Sequence, residues 1–282
     1  METREAATDL WRENDYTMAA VAYFDMFGFS VYLRRSDTKI RDVLTWLDEL
    51  DRETDEGLKR RHCASQLKSA VFSDCMVRAL PVGISAATSV ETLLLDAIRV
   101  QRRLTATVWT RKDQEFHRPE LPVRGGINVG QLYWGGRHVF GEALVEAVDL
   151  EKKMAVWPRV VVDLDVELDQ VDEWRYPPGF TDFFACGIDG FPLLLEDNGV
   201  RYLNYLAPIQ TEFGEWSDMQ FYNKYLRDHK SLILKFRESV QRSSQMMCIE
   251  GWAEYHNSVV RHLKEDRHAS SYLSKKELLV DL

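Results

Sequence analysis

The chain lacks several features that would assign it to familiar classes of protein. Its 282 residues contain no apolar run approaching the roughly 20 residues that a membrane-spanning helix needs. It has no dense run of lysine or arginine and a net charge of −9, which disfavours binding to polymeric nucleic acid. Residues 1–14 are charged and contain no apolar signal region, so we expect a cytoplasmic protein with no membrane partner.

Cysteine is scarce and scattered. The four cysteines contain no Cys-x-x-Cys pair, which indicates reduced thiols rather than a disulfide framework: Cys63, Cys75, Cys186 and Cys248. Internal repeats and low-complexity tracts are also absent from the sequence. Apolar residues make up 45% of the chain and charged residues 29%, which predicts a globular protein with a sizeable core.

The apolar pattern predicts alternating strands and helices. Strands are predicted at residues 21–26, 70–72, 75–80, 123–133, 159–163 and 199–206. Helices are predicted at residues 37–50, 90–108 and 141–153, and a loop at 112–122. This order predicts an α+β sandwich of ferredoxin-like type, a mostly antiparallel sheet with helices packed on it.

The character of the sequence changes beyond Pro208. Apolar residues there recur at helical spacing, which predicts helices at residues 217–242 and 246–263. We therefore predict a lead segment at residues 1–18, a main domain at 19–208 and a helical C-terminal extension at 209–282.

Two aspartates occupy matched positions, Asp25 and Asp74, each at the end of an apolar run that predicts a buried strand. Two carboxylates at strand ends can share a pair of divalent cations, the standard apparatus for displacing pyrophosphate from a nucleoside triphosphate. An aspartate in such a position is also a common turn or helix-cap residue. The pairing of the two favours metal binding.

Four segments in order resemble the class III nucleotidyl cyclase family over roughly residues 20–163. The segments are Asp25-Met26-Phe27-Gly28-Phe29, Phe72-Ser73-Asp74, Arg124-Gly125-Gly126-Ile127-Asn128-Val129-Gly130 and Phe140-Gly141-Glu142-Ala143-Leu144. The resemblance implies a class III cyclase sandwich. It also implies homodimers with active sites at the interface, where one subunit supplies the metals and the other the base contacts.

The resemblance also implies roles for single residues. Asp25 and Asp74 would be catalytic and would hold two Mn²⁺ or Mg²⁺ ions per site, with the Met26 carbonyl as a further ligand. The ions would activate the ribose 3′-hydroxyl for in-line attack on the α-phosphate and neutralise the triphosphate. Backbone N–H groups at a turn leading into a helix would cradle the β- and γ-phosphates. These groups belong to Phe27, Gly28, Phe29 and Ser30.

Several positions depart from the purine-specific members of the family. Ala70 stands where those members have Lys or Glu, and His138, next to Arg137, stands where they have Asp or Cys. The loss of these base-reading side chains argues against ATP or GTP. Val145 and Asp149 stand where the family has an Asn and an Arg that steady the ribose and the α-phosphate.

Another cation would have to replace that arginine, and the candidates are Arg137, Arg124 and Arg78. Arg124 is also a candidate for a structural ion pair at its strand start. Residues Ala70, Arg137 and His138 complete the predicted substrate-binding set.

The four matching segments, together with these departures, resemble the bacterial pyrimidine cyclases of the Pycsar antiphage system. The resemblance implies conversion of UTP, or CTP, to a 3′,5′-cyclic mononucleotide that activates a downstream effector; we favour UTP. Two alternatives remain open from the sequence. One is an adenylyl or guanylyl cyclase with an unusual base pocket, and the other is a catalytically weak cyclase-like module that binds nucleotide.

Overall fold

A computed structural model describes most of the chain, in two compact units. The described residues are 10–34, 47–48, 66–82, 86–105, 108–111, 114–117, 120–163, 194–206, 219–239, 243–265 and 278–281. The first unit contains the described residues of 1–100, 124–155 and 160–175, and the second those of 101–123, 156–159 and 176–282.

The secondary structure alternates strands and helices before it ends in two long helices. The strands are β1 Thr17–Met26, β2 Lys68–Phe72, β3 Cys75–Pro81, β4 Val108–Arg111, β5 Gln114–His117, β6 Val123–Gly135, β7 His138–Phe140, β8 Val160–Val162, β9 Leu194–Asp197 and β10 Val200–Leu203. The helices are α1 Phe29–Leu33, α2 Ala86–Thr105, α3 Glu142–Met154, α4 Met219–Ser239 and α5 Ser243–Glu265.

The first unit is built on a sheet with the strand order β2-β3-β1-β6-β8, and β7 pairs with β6. Strand β3 is antiparallel to both β1 and β2, whereas β8 is parallel to β6. Inserting β3 between β1 and β2 is the arrangement of a split β-α-β unit, as in ferredoxin-like folds. The predicted α+β architecture, a mostly antiparallel sheet with helices packed on it, is confirmed.

Both faces of the central strand β1 are covered. Most of its residues are buried, which is typical of a strand with packing on each side. On one face, Arg78 of β3 forms a buried ion pair with Asp96 of α2, with 2.5 Å between Nε and Oδ2. On the other face, α3 packs against β1, and its Ala143 joins a core cluster with Val21.

Small residues let α3 lie close to β6. A Cβ atom added at Gly126 would overlap the backbone oxygen of Ala147 and lie 2.8 Å from the Cβ of Leu150. A Cβ at Gly130 would lie 3.3 Å from the Cβ of Ala143. Glycines on a strand mark places where another backbone approaches closely, and these two set the separation of α3 from the sheet.

In the second unit, α4 packs against α5, and a chain of buried polar groups runs between them. His229 of α4 and His256 of α5 are both fully buried, with 3.0 Å between their Nδ1 atoms. The Nε2 of His229 lies 2.6 Å from the Tyr205 hydroxyl. At the other end, the Nε2 of His256 lies 2.8 Å from the carbonyl oxygen of Leu278, so the chain extends to the C-terminal segment.

One acceptor sets the direction of this whole chain. The Leu278 carbonyl can only accept, so Nε2 of His256 donates and its Nδ1 is left as an acceptor. Nδ1 of His229 therefore donates to His256, and its Nε2 accepts from Tyr205. Both imidazoles are satisfied in the neutral form, and an added proton on His256 would set two N–H groups against each other.

Most of the predicted elements match those observed. The predicted helices at 90–108, 141–153, 217–242 and 246–263 correspond to α2, α3, α4 and α5. Within the part of the chain that the structure describes, no helix combines the length and the apolar character needed to cross a bilayer. The predicted helix at 37–50 lies outside the described residues except for 47–48. The predicted domain boundaries stay predictions.

Prediction from local composition was wrong at one stretch and missed three strands. The polar stretch at 112–122 was predicted to be a loop, yet Gln114–His117 forms β5 in an antiparallel pair with β4. Strands β4, β7 and β9 were not predicted, and β9 pairs with β10. Polar and charged residues such as Glu196 and Asp197 are tolerated in strands whose backbone groups pair with a neighbour, since the pairing depends on the partner strand rather than on local composition.

We expect Gly126→Ala to destabilise the protein by roughly 2–3 kcal/mol, because the new methyl group would overlap the backbone of α3 and force the helix outward. Gly130→Ala is the matched control, since it meets only one methyl group at 3.3 Å and should cost less than about 1 kcal/mol. Denaturant unfolding of both variants tests this. Equal losses of unfolding free energy in the two variants would contradict the close packing of α3 against Gly126.

We expect the stability of the protein to decrease as the pH falls from about 6.5, the ordinary pKa of histidine. Burial lowers the pKa of His256 to about 4 and that of His229 well below its usual value. Between these pH values the unfolded chain binds more protons than the folded chain, so His256 alone accounts for a loss of roughly 3 kcal/mol. Denaturant unfolding at a series of pH values measures it.

The exposed His138 supplies the control for this measurement. His138→Gln should keep the dependence of the unfolding free energy on pH, whereas His256→Gln should flatten it. A His256→Gln protein with the wild-type slope would show that the buried pair does not control the acid sensitivity.

Candidate functional site

Asp25 and Asp74 come together where β1 meets the turn between β2 and β3. Asp25 is the penultimate residue of β1 and pairs in register with Cys75, the first residue of β3. Ser73 adopts a left-handed backbone conformation with φ 57°, which completes the two-residue turn that holds Asp74. The N–H of Met26 donates to the Asp74 carbonyl oxygen at 2.8 Å and ties the turn to β1.

These residues form a cluster of groups able to bind a metal. One ligand atom from each of Asp25, Asp74 and Cys75 lies within 4.8 Å of the others, and all three side chains are half-buried. Two carboxylates at such separation repel each other unless a cation lies between them. Their oxygen atoms are the ligands that Mg²⁺ and Mn²⁺ prefer, so the residues present fit such an ion.

The thiol of Cys75 has a pKa above its ordinary value. Burial raises its pKa, and the nearby Asp74 and Asp25 carboxylates act in the same direction, against a hydrogen bond with Tyr23. The Tyr23 hydroxyl lies 2.8 Å from Sγ, and burial with this contact raises the pKa of the tyrosine as well. Mg²⁺ and Mn²⁺ prefer carboxylate oxygen to sulfur as a ligand, so the two carboxylates dominate the chemistry of the cluster.

A single guanidinium nitrogen connects this cluster to α3. The Nη2 of Arg124 lies 2.8 Å from Asp25 Oδ2 and 2.9 Å from Glu151 Oε1. Burial raises the pKa of Glu151, and the charge of Arg124 opposes that rise. The guanidinium also lies over the ring of Phe27, 5.5 Å from its centroid. The ion pair expected of Arg124 at the strand start is therefore confirmed, and it is made with Asp25.

The predicted phosphate-binding segment follows directly after Asp25 and Met26. Gly28 adopts φ 87°, a conformation that favours glycine, and the chain then enters α1 at Phe29. The carbonyl of Gly28 accepts from the N–H of Tyr32 at 2.9 Å. The predicted turn leading into a helix is confirmed, whereas phosphate binding by Phe27, Gly28, Phe29 and Ser30 stays a prediction.

The three residues predicted to read the base lie on β2 and at the hairpin between β6 and β7. Ala70 pairs with Val77, which pairs in turn with Tyr23, so Ala70 lies at the same end as Asp25. Arg137 and His138 are exposed and lie at the hairpin between β6 and β7. His138 is the first residue of β7.

The hairpin that carries Arg137 and His138 folds back toward β2. Arg124, near the start of β6, contacts Asp25, whereas the carbonyl of Trp134, near the other end of β6, accepts from Nζ of Lys68 on β2 at 3.3 Å. Trp134 pairs with Val139, the residue after His138. The hairpin therefore lies beside the start of β2, close in sequence to Ala70.

Only one of the three candidate cations lies at the carboxylates. Arg124 contacts Asp25, whereas Arg78 is buried against Asp96 on the opposite face of the sheet. At the two positions where the family has Asn and Arg, Val145 is 60% exposed, and Asp149 pairs with Lys153 at 2.5 Å.

Sequence reasoning missed Glu151, the best-buried acid at the site with 4% of its side chain exposed. A signal was available, because Glu151 follows Ala147 by four residues and Ala143 by eight. All three therefore lie on one face of α3, and that face is buried. A carboxylate on a buried stripe predicts a cationic partner. Tyr23 and Cys75 were missed because their contact depends on strand register.

Comparisons with known proteins find similarity in structure alone. No family model and no curated protein matches the chain. The guanylyl cyclase domain of the RhoGC fusion protein from the aquatic fungus Blastocladiella emersonii matches with 16% identity and a TM-score of 0.39, covering 53% of this chain and 81% of that chain. The guanylate cyclase domain of RhGC from Catenaria anguillulae, solved in complex with GTP, matches with 16% identity, a TM-score of 0.38, and coverage of 53% and 80%.

A bacterial enzyme gives a similar result. The adenylyl cyclase CyaB from P. aeruginosa matches with 15% identity and a TM-score of 0.36, covering 54% of this chain and 79% of that chain. All three matches have an identity of 16% or less and a TM-score of 0.39 or less.

Proposed function

We propose that the protein is a pyrimidine nucleotide cyclase that converts UTP, or CTP, to the 3′,5′-cyclic mononucleotide and pyrophosphate. The observation that carries the proposal is the meeting of Asp25 and Asp74, from separate parts of the chain, in one half-buried cluster. A turn and a helix start follow one of them directly. Phosphoryl chemistry needs this combination of cation ligands and backbone N–H donors.

Each residue of the site has a role in this reaction. Asp25 and Asp74 would hold divalent cations, Mn²⁺ or Mg²⁺. When bound there, the cations would supply Lewis-acid activation of the ribose 3′-hydroxyl and neutralise charge on the triphosphate. The backbone N–H groups around Gly28 would donate to the β- and γ-phosphates. Arg124 supplies the positive charge that the position of Asp149 lacks.

The proposed base preference rests on Ala70 and His138, which lack the base-reading side chains of purine-specific cyclases. Ala70 has no side chain that could reach a base edge, and it is half-buried at the same end of the sheet as the carboxylates. His138 offers an imidazole where a purine-specific site would offer a carboxylate or a thiol. A site that lacks partners for the purine edge loses its preference for purines, because discrimination depends on groups left unpaired by the wrong base.

The proposed active site lies between two copies of the chain. By the resemblance to the class III cyclases, one copy would supply the metal ligands and the other the residues that read the base. Each homodimer would then carry two sites. By its resemblance to the Pycsar cyclases, the product would be a second messenger in antiphage defence, detected by a separate effector.

A specific observation favours a second candidate function, a cyclase-like module that binds nucleotide with little turnover. Val145 is exposed and Asp149 is paired with Lys153, so neither can steady a transition state as Asn and Arg would. An arginine aimed at developing phosphate charge contributes several orders of magnitude to the rate. Nucleotide binding without release of pyrophosphate would support this module.

We expect Asp25→Asn and Asp74→Asn each to lower cyclase activity by at least about a hundredfold, because each removes a charged ligand of the cations. The assay incubates the purified protein with Mn²⁺ and each of the four nucleoside triphosphates, and identifies the products by mass. Asp15→Asn is the matched control, since Asp15 is 65% exposed on the same unit, and it should be fully active.

The products distinguish the candidate functions. Cyclic UMP or cyclic CMP supports the proposal and identifies the base. Cyclic AMP or cyclic GMP would mean that Ala70 and His138 were misinterpreted. Full activity in either aspartate variant would refute the metal-ligand assignment.

We also expect activity per chain to fall on dilution, in proportion to the fraction of dimer, because each site would need residues from two copies. Sedimentation velocity at the assay concentrations measures that fraction. Constant activity in samples that sediment as monomers would contradict a site shared between subunits.

A further inference from the structure

The geometry points to Glu151 as a positioning residue that draws the Arg124 guanidinium off Asp25 when a divalent cation binds there. This inference rests on the proposed function, because it assumes that Asp25 is a cation ligand. It adds a step to cation binding, in which the guanidinium of Arg124 moves from the Asp25 carboxylate to the Glu151 carboxylate.

In the starting arrangement one arginine nitrogen is paired with two carboxylates. Nη2 of Arg124 donates a hydrogen bond to Asp25 at 2.8 Å and lies 2.9 Å from Glu151 as an ion pair, so the guanidinium is attracted to both carboxylates. A divalent cation on Asp25 would compete with the guanidinium for the carboxylate oxygens and repel it. Arg124 therefore has to release Asp25 as the cation arrives.

Because it is more buried than Asp25, Glu151 is the more stable partner for the guanidinium. Only 4% of the Glu151 side chain is exposed, against 19% for Asp25. A buried carboxylate left without a cationic partner is strongly unfavourable, so Arg124 stays with Glu151 after it leaves Asp25. The guanidinium is thus kept at the site without blocking the cation.

The position of Glu151 is fixed by packing rather than by the ion pair. It lies one turn beyond Ala147, whose backbone sits directly over Gly126 of β6. Arg124 lies two residues before that glycine on the same strand. Helix α3 and strand β6 therefore hold the acid and the arginine at a set separation, whereas the arginine side chain has room to swing because 30% of it is exposed.

A second explanation has to be distinguished, in which Glu151 merely adds negative charge near the cation. Glu151→Asp separates the two because it keeps the carboxylic acid and shortens its reach by one methylene group. If charge alone matters, Glu151→Asp binds cations like the wild type. If Glu151 must reach Arg124, Glu151→Asp behaves like Glu151→Gln.

The experiment measures binding of Mn²⁺ alone to the full chain, from the electron paramagnetic resonance signal of the free ion. We expect Glu151→Gln and Glu151→Asp both to weaken Mn²⁺ binding by about tenfold, the size of a typical coupling between contacting charged residues. Glu146→Gln is the control, since Glu146 is exposed on the same helix, and its affinity should stay within about twofold of the wild type.

A crystal structure of the wild type with Mn²⁺ tests the inference without any variant that could fail to fold. We expect Arg124 to contact Glu151 and to have left Asp25. An intact contact between Arg124 and Asp25 beside bound Mn²⁺ would overturn the inference, as would wild-type affinity in Glu151→Asp.

Failure of the proposed function would look different. If the wild type binds no Mn²⁺, or if Asp25→Asn leaves its affinity unchanged, both the metal site and the inference are overturned. If Asp25→Asn abolishes binding while Glu151→Asp has no effect, the inference alone is overturned.

Discussion

The antiparallel pairing of β1 with β3 is the constraint on which the site depends. The register sets Asp25 opposite Cys75, and a hydrogen bond from Met26 holds the adjoining turn so that Asp74 joins them. A slip of one residue would exchange the faces of β1, placing the neighbouring apolar side chains where Asp25 now lies. The bonds that build the core therefore also bring the carboxylates together.

The close packing of α3 against β6 is the second constraint on the site. Gly126 admits the helix at a separation that no larger residue would allow, and Gly130 leaves room for a Cβ only 3.3 Å from Ala143. That separation brings Glu151 within reach of Arg124, and Arg124 within reach of Asp25. The close approach of the α3 backbone to β6 thus determines the electrostatics of the candidate site.

Prediction from the sequence succeeded where local pattern and tertiary context agree. The hairpin carrying Asp74, the turn at Gly28 and the long helices follow from apolar spacing and turn residues, and all were observed. It failed at β5 and β9, because the pairing of a polar strand depends on a neighbour that composition does not reveal. It also overlooked Glu151, whose role depends on which side of α3 meets the sheet.

Periodicity and residue identity were sufficient to predict the α+β architecture, the two strand-end aspartates and the departures at Ala70 and His138. The tertiary structure alone decided which of the candidate arginines stands at the carboxylates. Arg124 contacts Asp25, whereas Arg78 is buried on the opposite face and Arg137 lies at the far end of β6. Sequence distance carries no information about such placement, since strand order and register bring together residues about a hundred positions apart, as the contact between Asp25 and Arg124 shows.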